Sequence, residues 1–565
     1  MDETGLELRT EAIGALPIIN HFLARMKVTG CLERVLPHDD ARLRLAPAAV
    51  IGVVVRNLMI RHRPVYALAE WAAPFDPVVL GLGPDDAGAL NDDRVARMLD
   101  RLFDADRATL ITDTVLGVVR EFDLDLSQLH NDSTTLTFHG NYTHADGSPR
   151  GGRPTPAIVH GHNKDFRPDL KQLLCILTIS ADGAVPVAFR TADGNTPDDV
   201  THIPTWDELC RLVGRTDFLY VADSKLCSAE AMRHIASRGG RFVTVIPKGR
   251  KEDTWFCDWA QTHAPDWTEA ERTPGGGDDP DVVYRVFEAP VPSVDGYRVI
   301  WVHSTTKAAL DAASRASRIE RGLAALEAVQ ARLDSPKSRL RTLVAAEEAA
   351  MAVIKGAGAD RWVGFAVTET TEKTFAQERR GRPGETTRYV RKDKPVFTVT
   401  AHLRAELVTY DAVTDGCFPL VTCDRTMTPA QVLHAYRYQP NLERRNHMLK
   451  GPQEMAPVHL ETPHRIEALL LCHFLALLTE ALIEREIRTS MKNEGLQGIP
   501  LYPELRNCPA PSAPRIFEIF SGVQRHHLTS KGHVVKVFGP ELGPVQQQVL
   551  DLLHVPASVY ESTSS

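Results

Sequence analysis

The chain has 565 residues, too many for one ordinary core, which implies roughly three or four domains. Its residues are 43% hydrophobic and 24% charged, a globular composition that suggests neither the disordered nor the membrane class. A net charge of −8 and an isoelectric point near 6.3 argue against a general polyanion binder, but nucleic-acid binding needs only a local basic surface.

Residues 1–125 read as a helical domain. The opening MDETGLELRTEAIG lacks a basic start before an apolar run, so no secretory signal is expected. LAPAAVIGVVVRNLMI predicts an apolar helix with Pro47 in its first turn. NDDRVARMLDRLFD places Val95, Met98, Leu99, Leu102 and Phe103 on one side of another. Arg56, Arg61, His62 and Arg63 are candidates to face DNA, with a solvated helix end as the alternative.

From residue 126 to 249 the pattern is that of the first part of an α/β core. LHNDSTTLTFHG, KQLLCILTIS and AVPVAFRT predict three strands, the last two separated by the turn Ala181-Asp182-Gly183. A helix over PDDVTHIPTWDELCRLVG, a strand over DFLYVAD, a helix over SAEAMRHIASRGG and a strand over RFVTVIPK follow. Residues 250–425 read as a mixed α/β insertion. Its long helical segment carries Ile319, Leu326, Leu333 and Leu340 at intervals of seven, and Ser335-Pro336 has the form of a cap and first position of a second helix, which together predict an αα-hairpin. RWVGFAVTET and PVFTVTAH predict strands. Between and beside them, residues 379–394 hold seven basic residues against Glu385 and Asp393.

Residues 426–490 return to helix as the second part of the core. Thr428-Pro429 starts one helix, Pro440 breaks or restarts it, and Gly451-Pro452 ends the next. ETPHRIEALLLCHFLALLTEALIERE predicts a long apolar helix. Its greasy run, residues 468–478, is eleven residues long and contains His473, so a buried helix rather than a membrane span is expected. Residues 491–565 form a proline-rich tail in which PAPSAPRIFEIFSGV leads into a helix; dimerisation and DNA contact are its candidate roles. Nine scattered cysteines without a CxxC pair suit a reducing cytoplasm.

Three acidic positions stand out by setting: Asp132 in the first strand, Asp223 at the end of the fourth, and Glu443 on a helix after the fifth. In a ribonuclease-H-like sheet the first strand and the end of the fourth lie side by side, and a helix after the fifth packs over that edge. Joint ionisation of three such carboxylates needs a compensating cation. Magnesium or manganese suits oxygen ligands. Two such ions, roughly 3.5–4 Å apart, activate water and stabilise a leaving 3′ oxygen in phosphoryl transfer. Taken singly, an Asp at a strand end is ordinarily a turn or cap residue, so the reading depends on joint placement.

AYRYQPNLERRNHMLKG resembles the signature of a large family of insertion-sequence DDE transposases: Tyr, two residues, Arg, three residues, Glu, six residues, Lys. Tyr436, Glu443 and Lys450 fall at matching positions, whereas the Arg position holds Gln439. HNDSTTL and LYVADSKLCSAEAM resemble the family's two Asp motifs. HNKDFRPDLKQLL, RHRPVYALAEW and LNDDRVARMLDRLFD resemble the branch with an N-terminal helical domain and a long insertion before the Glu. The resemblance implies a ribonuclease-H-like core in which Asp132, Asp223 and Glu443 hold two metal ions. It further implies cutting of element ends, joining of the 3′ hydroxyl to target DNA, and a homodimer on double-stranded DNA. The family's Arg and Lys contact phosphates, so Gln439 leaves one contact open, with Arg437 or Arg444 as substitutes.

Glu443, His447 and Lys450 share a helix face. Further DNA-contact candidates are Lys164, Arg167 and Lys171, the cluster with Arg379, Arg380 and Arg382, and Tyr436 as a base-stacking residue; a solvated basic loop and a half-buried tyrosine are the alternatives. His160 and His162 flank Gly161 without a second ligand pair nearby, and no phosphate-binding loop, HExxH or GxSxG is present. A ribonuclease-H-like nuclease that does not join strands and a non-catalytic DNA-binding derivative remain as rival expectations.

Overall fold

The computed structural model describes residues 6–40, 43–60, 63–276, 279–450, 460, 462–531 and 533–561. Arg61, His62 and the Gly451-Pro452 helix end lie outside the described residues. The chain divides into two compact units: residues 1–244 with 434–565, and residues 245–433.

In the first unit the strands run in the order Pro186–Asp193, Lys171–Ser180, Gln128–Phe138, Leu219–Ala222, Arg241–Val245. The first three are antiparallel neighbours; the last two run parallel to Gln128–Phe138. KQLLCILTIS is almost wholly buried, as a strand covered on both faces must be.

The helix Pro463–Asn493 packs against Pro186–Asp193 and against the helices Pro47–Ile60 and Asp92–Asp104. It is apolar on nearly every side, which requires burial from all directions. By length and composition it is sufficient to cross a membrane, and 94% of its apolar window is buried inside the protein. Phe474 stacks on Phe189 with ring centroids 5.8 Å apart, and Arg465 forks onto Asp100 at 2.7 and 2.8 Å.

The N-terminal helices follow the predicted pattern where it is apolar. Asn91 caps Asp92–Asp104 by accepting from the Arg94 amide at 2.9 Å, and its five predicted core residues are buried. Two expectations are corrected. Arg56 is not a free solvated helix end: it is half-buried and donates to Asn20 at 2.8 Å, and desolvation pulls the guanidinium down to about 10. Residues 6–12 are not helical: Leu6–Ala12 is a strand paired antiparallel with Gln524–Ser530, which also pairs with His533–Phe538. The predicted tail helix is present as Ala513–Phe520, its first amide donating to Glu484 at 3.0 Å.

The second unit has an antiparallel sheet in the order Cys417–Thr422, Arg298–Ser304, Val282–Glu288, Thr268–Thr273. The αα-hairpin is formed by Thr305–Asp334 and Leu343–Ala357, joined through a core of Leu326, Ala350, Ile354, Ala359 and Val363 with Ile319 against it. Ser335-Pro336 ends the first helix rather than opening the second; Thr342 opens it, accepting from the Ala345 amide at 3.2 Å. Leu340 consequently sits in the connection, off the seven-residue stripe. Val363–Gln377 and Tyr389–Leu403 pair along their full length as a two-stranded ribbon, with Arg379, Arg380 and Arg382 exposed in its turn.

Candidate active site

Asp132 and Asp223 are brought together by register. Asn131 pairs with Ala222 across parallel strands, so Asp132 and Asp223 are the next residue on each and point to the same face, with strands about 4.8 Å apart. The Leu219–Ala222 strand stops there because Asp223 turns to accept from the Lys225 amide at 3.0 Å, capping a short turn before the helix Ala229–Ser237.

Glu443 is carried by the helix Gln439–Lys450, which restarts after Pro429–Tyr436 with Pro440 in its first turn. Gln439, four residues before Glu443, accepts from His130 Nδ1 at 3.0 Å and donates to the Asn131 carbonyl at 3.4 Å. Asn446, three residues after it, donates to Asp132 Oδ2 at 3.4 Å. Both lie on the Glu443 face of the helix, so that face is fastened to residues 130–132 on either side of Glu443. The Glu443 side chain itself is exposed. Burial first, then Asp223, Glu443 and Asp132, push the Tyr436 phenol up to about 12: one hydroxyl feels all three carboxylates. Among the described residues, no three His, Cys, Asp or Glu side chains are gathered closely enough to hold a metal ion.

Neighbouring groups add charges around these carboxylates, among them Lys164, a DNA-contact candidate from the sequence. The Lys164 ammonium lies 3.6 Å from Asp132 and 3.0 Å from Asp198. It also donates to the Ser133 carbonyl and hydroxyl at 2.5 and 2.8 Å, and that hydroxyl donates to Asp198 at 2.7 Å. His202 is buried and donates or accepts at Tyr220 through Nδ1 at 3.1 Å; burial pulls it down to about 4, which keeps it neutral beside Asp223, Asp198 and Asp199. His130 is likewise held neutral, at about 4, by burial.

Burial, reinforced by Asp223 and Asp198 and opposed by Lys164, pushes Asp132 up to about 6 from 3.8. The folded protein therefore keeps a proton that the unfolded chain releases at lower pH. This contribution to stability is full below about pH 4 and is lost as pH rises through about 6, an effect of about 3 kcal/mol. In the presence of a chelator, Asp132→Asn should unfold at a higher temperature than the parent at pH 7.5, the difference shrinking towards pH 4. Parallel melting-temperature profiles would show that the Asp132 charge carries no such cost.

The DNA-contact candidates differ in their surroundings. Lys450 is paired with Asp165 at 2.8 and 2.9 Å, Arg167 forks onto Asp169 at 2.9 and 2.7 Å, and Lys171 donates to the Asn141 carbonyl at 2.5 Å. Gln439 is buried in its bonds to residues 130 and 131, out of reach of a phosphate, which corrects its assignment as a DNA contact. An arginine there would bury a charge beside a neutral histidine, a physical reason for glutamine at this position. Arg444 is exposed, as are Arg379, Arg380 and Arg382. Arg437 is half-buried. His160 and His162 lie in irregular chain rather than on one face of a strand.

The site thus sits on a mixed parallel and antiparallel sheet within a mixed α/β protein. A family model described as a domain of unknown function, DUF4277, matches residues 8–116. No curated protein matches the chain. Among solved structures, the chain is similar to a piggyBac transposase synaptic complex with hairpin DNA, at 11% identity, with a TM-score of 0.25 over 48% of this chain and 57% of that one. The chain thus spans little more than half the length of that neighbour.

Proposed function

We propose that the chain is a DDE transposase, cutting double-stranded DNA at the ends of an insertion sequence and joining the freed 3′ hydroxyl to target DNA. The strand order of the first unit, with the fourth and fifth strands parallel to the first, supports a ribonuclease-H-like core. The observation that carries the reading is geometric: strand register sets Asp132 beside Asp223, and Asn446 of the helix that bears Glu443 bonds to Asp132, although the three carboxylates lie far apart in sequence. Their oxygen-only chemistry fits a hard divalent cation. Asp132, Asp223 and Glu443 would hold magnesium or manganese, which when bound supplies an activated water and stabilises the leaving oxygen. Asn446 orients the Asp132 carboxylate, and the Gln439–His130 bond fixes the helix that presents Glu443.

DNA carrying the inverted repeats that flank the gene tests this reading. Incubated with the protein and magnesium, it should be nicked at the repeat ends and be recovered joined to a second duplex. Cutting without joining would make the protein a nuclease. Binding without cutting would make it a non-catalytic DNA-binding derivative.

The ribbon connection is the proposed phosphate-gripping element, because Arg379, Arg380 and Arg382 are exposed together near the start of residues 378–388, between its two strands. Charge reversal of the three should weaken DNA binding at all sequences alike. The slope of log affinity against log salt should become shallower by about 0.9 for each phosphate that is no longer neutralised. An unchanged slope would return the cluster to ordinary solvated surface.

A further inference from the structure

The Lys164 ammonium occupies a place that the proposed reaction does not require. It is a fixed charge. Three protons are available on the ammonium, and three acceptors fill them at hydrogen-bond distance: the Ser133 carbonyl, the Ser133 hydroxyl and Asp198. Its backbone is fixed as well, since the Lys164 amide donates to Thr135 at 3.3 Å. The adjoining Asn163 is buried, donating to Gln172 at 2.9 Å and accepting from the amides of Asp165 and Arg167 at 2.8 and 3.1 Å. Asp132, at 3.6 Å, lies beyond hydrogen-bond reach and feels the ammonium only through its charge.

We propose that Lys164 is a built-in electrostatic brake on divalent-cation binding at Asp132, so that the DNA-free protein binds the cation weakly and the anionic phosphates of bound DNA release the brake. This rests on the reading of Asp132 as a metal ligand. Lys164 is a positioning residue in this scheme: its charge repels an incoming cation, and its bonds to Ser133 and Asp198 prevent it from swinging away. A phosphodiester brought beside the site supplies negative charge that offsets the ammonium. Cation affinity and DNA affinity are then coupled, each raising the other by the same factor.

The test is manganese binding to the full chain without DNA, followed by the electron paramagnetic resonance signal of free manganese. Lys164→Gln should tighten binding by at least about tenfold. Adding a duplex that carries the gene-flanking repeats should tighten manganese binding by the parent protein, and an unchanged affinity would remove the proposed release by DNA. Ser133→Ala, which removes one hold on the ammonium while keeping its charge, is the second variant should the first fail to fold; its affinity should exceed that of the parent. Unchanged or weaker manganese binding in the folded variants overturns the brake. Asp132→Asn separates this failure from a deeper one. If Asp132→Asn loses manganese while Lys164→Gln gains nothing, only the brake is wrong. If Asp132→Asn binds manganese as the parent does, Asp132 is not a ligand and both readings fall.

Discussion

Asp223→Asn should abolish strand cleavage in magnesium while leaving affinity for DNA within about twofold. The substitution is chosen because the structure separates two jobs of this side chain. One oxygen accepts from the Lys225 amide and caps the turn after the Leu219–Ala222 strand. Asparagine performs that job equally well, so the turn and the neighbouring strand register are kept. The other job needs charge: Asp223 acts on Asp132 and on the Tyr436 phenol as an anion. Losing an outer-shell partner of a metal ligand already costs about 10–100-fold, so losing the ligand itself should cost at least about a hundredfold. Gel assays of nicking and of strand joining, with DNA binding measured in parallel, check both halves. Retained nicking at an unchanged rate would remove Asp223 from the chemistry.

Where one residue's environment is set by its own strand, the sequence read well. The five strands of the first sheet, including the short buried DFLYVAD, follow from β-branched runs bounded by turns. Adjacency of Asp132 and Asp223 follows from register once the fourth strand pairs with the first. Other features depend on partners far along the chain. Leu6–Ala12 is polar and alternating, and only its pairing with Gln524–Ser530 makes it a strand. Ser335-Pro336 carries a helix-start signal that equally suits a helix end followed by proline. Gln439 looked like a missing grip on phosphate because nothing local reveals that it is buried against His130. Lys164 stood out only as one more cation in HNKDFRPDLKQLL; its closure onto Asp198, beyond two intervening strands, is a tertiary event.

Arg445→Met should cost about 3 kcal/mol of unfolding free energy and lower cleavage with it. Arg445 and Glu484 form an ion pair at 3.0 Å with side chains 2% and 1% exposed. Breaking such a pair typically costs about 3–5 kcal/mol, because the surviving charge stays buried. The lower end applies here, since Glu484 keeps two other partners: Arg488 at 3.1 Å and the Ala513 amide at 3.0 Å. Arg445 also donates to the carbonyls of Ala184 and Gly183 at 2.9 and 3.2 Å, so methionine leaves those acceptors unsatisfied as well. Glu484→Leu should be worse, nearer about 5 kcal/mol, because it removes the counter-charge shared by Arg445 and Arg488, which keep only uncharged acceptors, and leaves the Ala513 amide without its acceptor. Denaturant unfolding of the two variants gives the comparison directly, and equal losses would show that the pair's partners do not set its cost. The functional consequence follows from position. Arg445 lies two residues beyond Glu443 on the same helix and ties that helix to the turn after Lys171–Ser180 and to Pro463–Asn493. A helix freed at this point no longer holds Asn446 on Asp132, so nicking should fall in Arg445→Met even at temperatures where the variant remains folded.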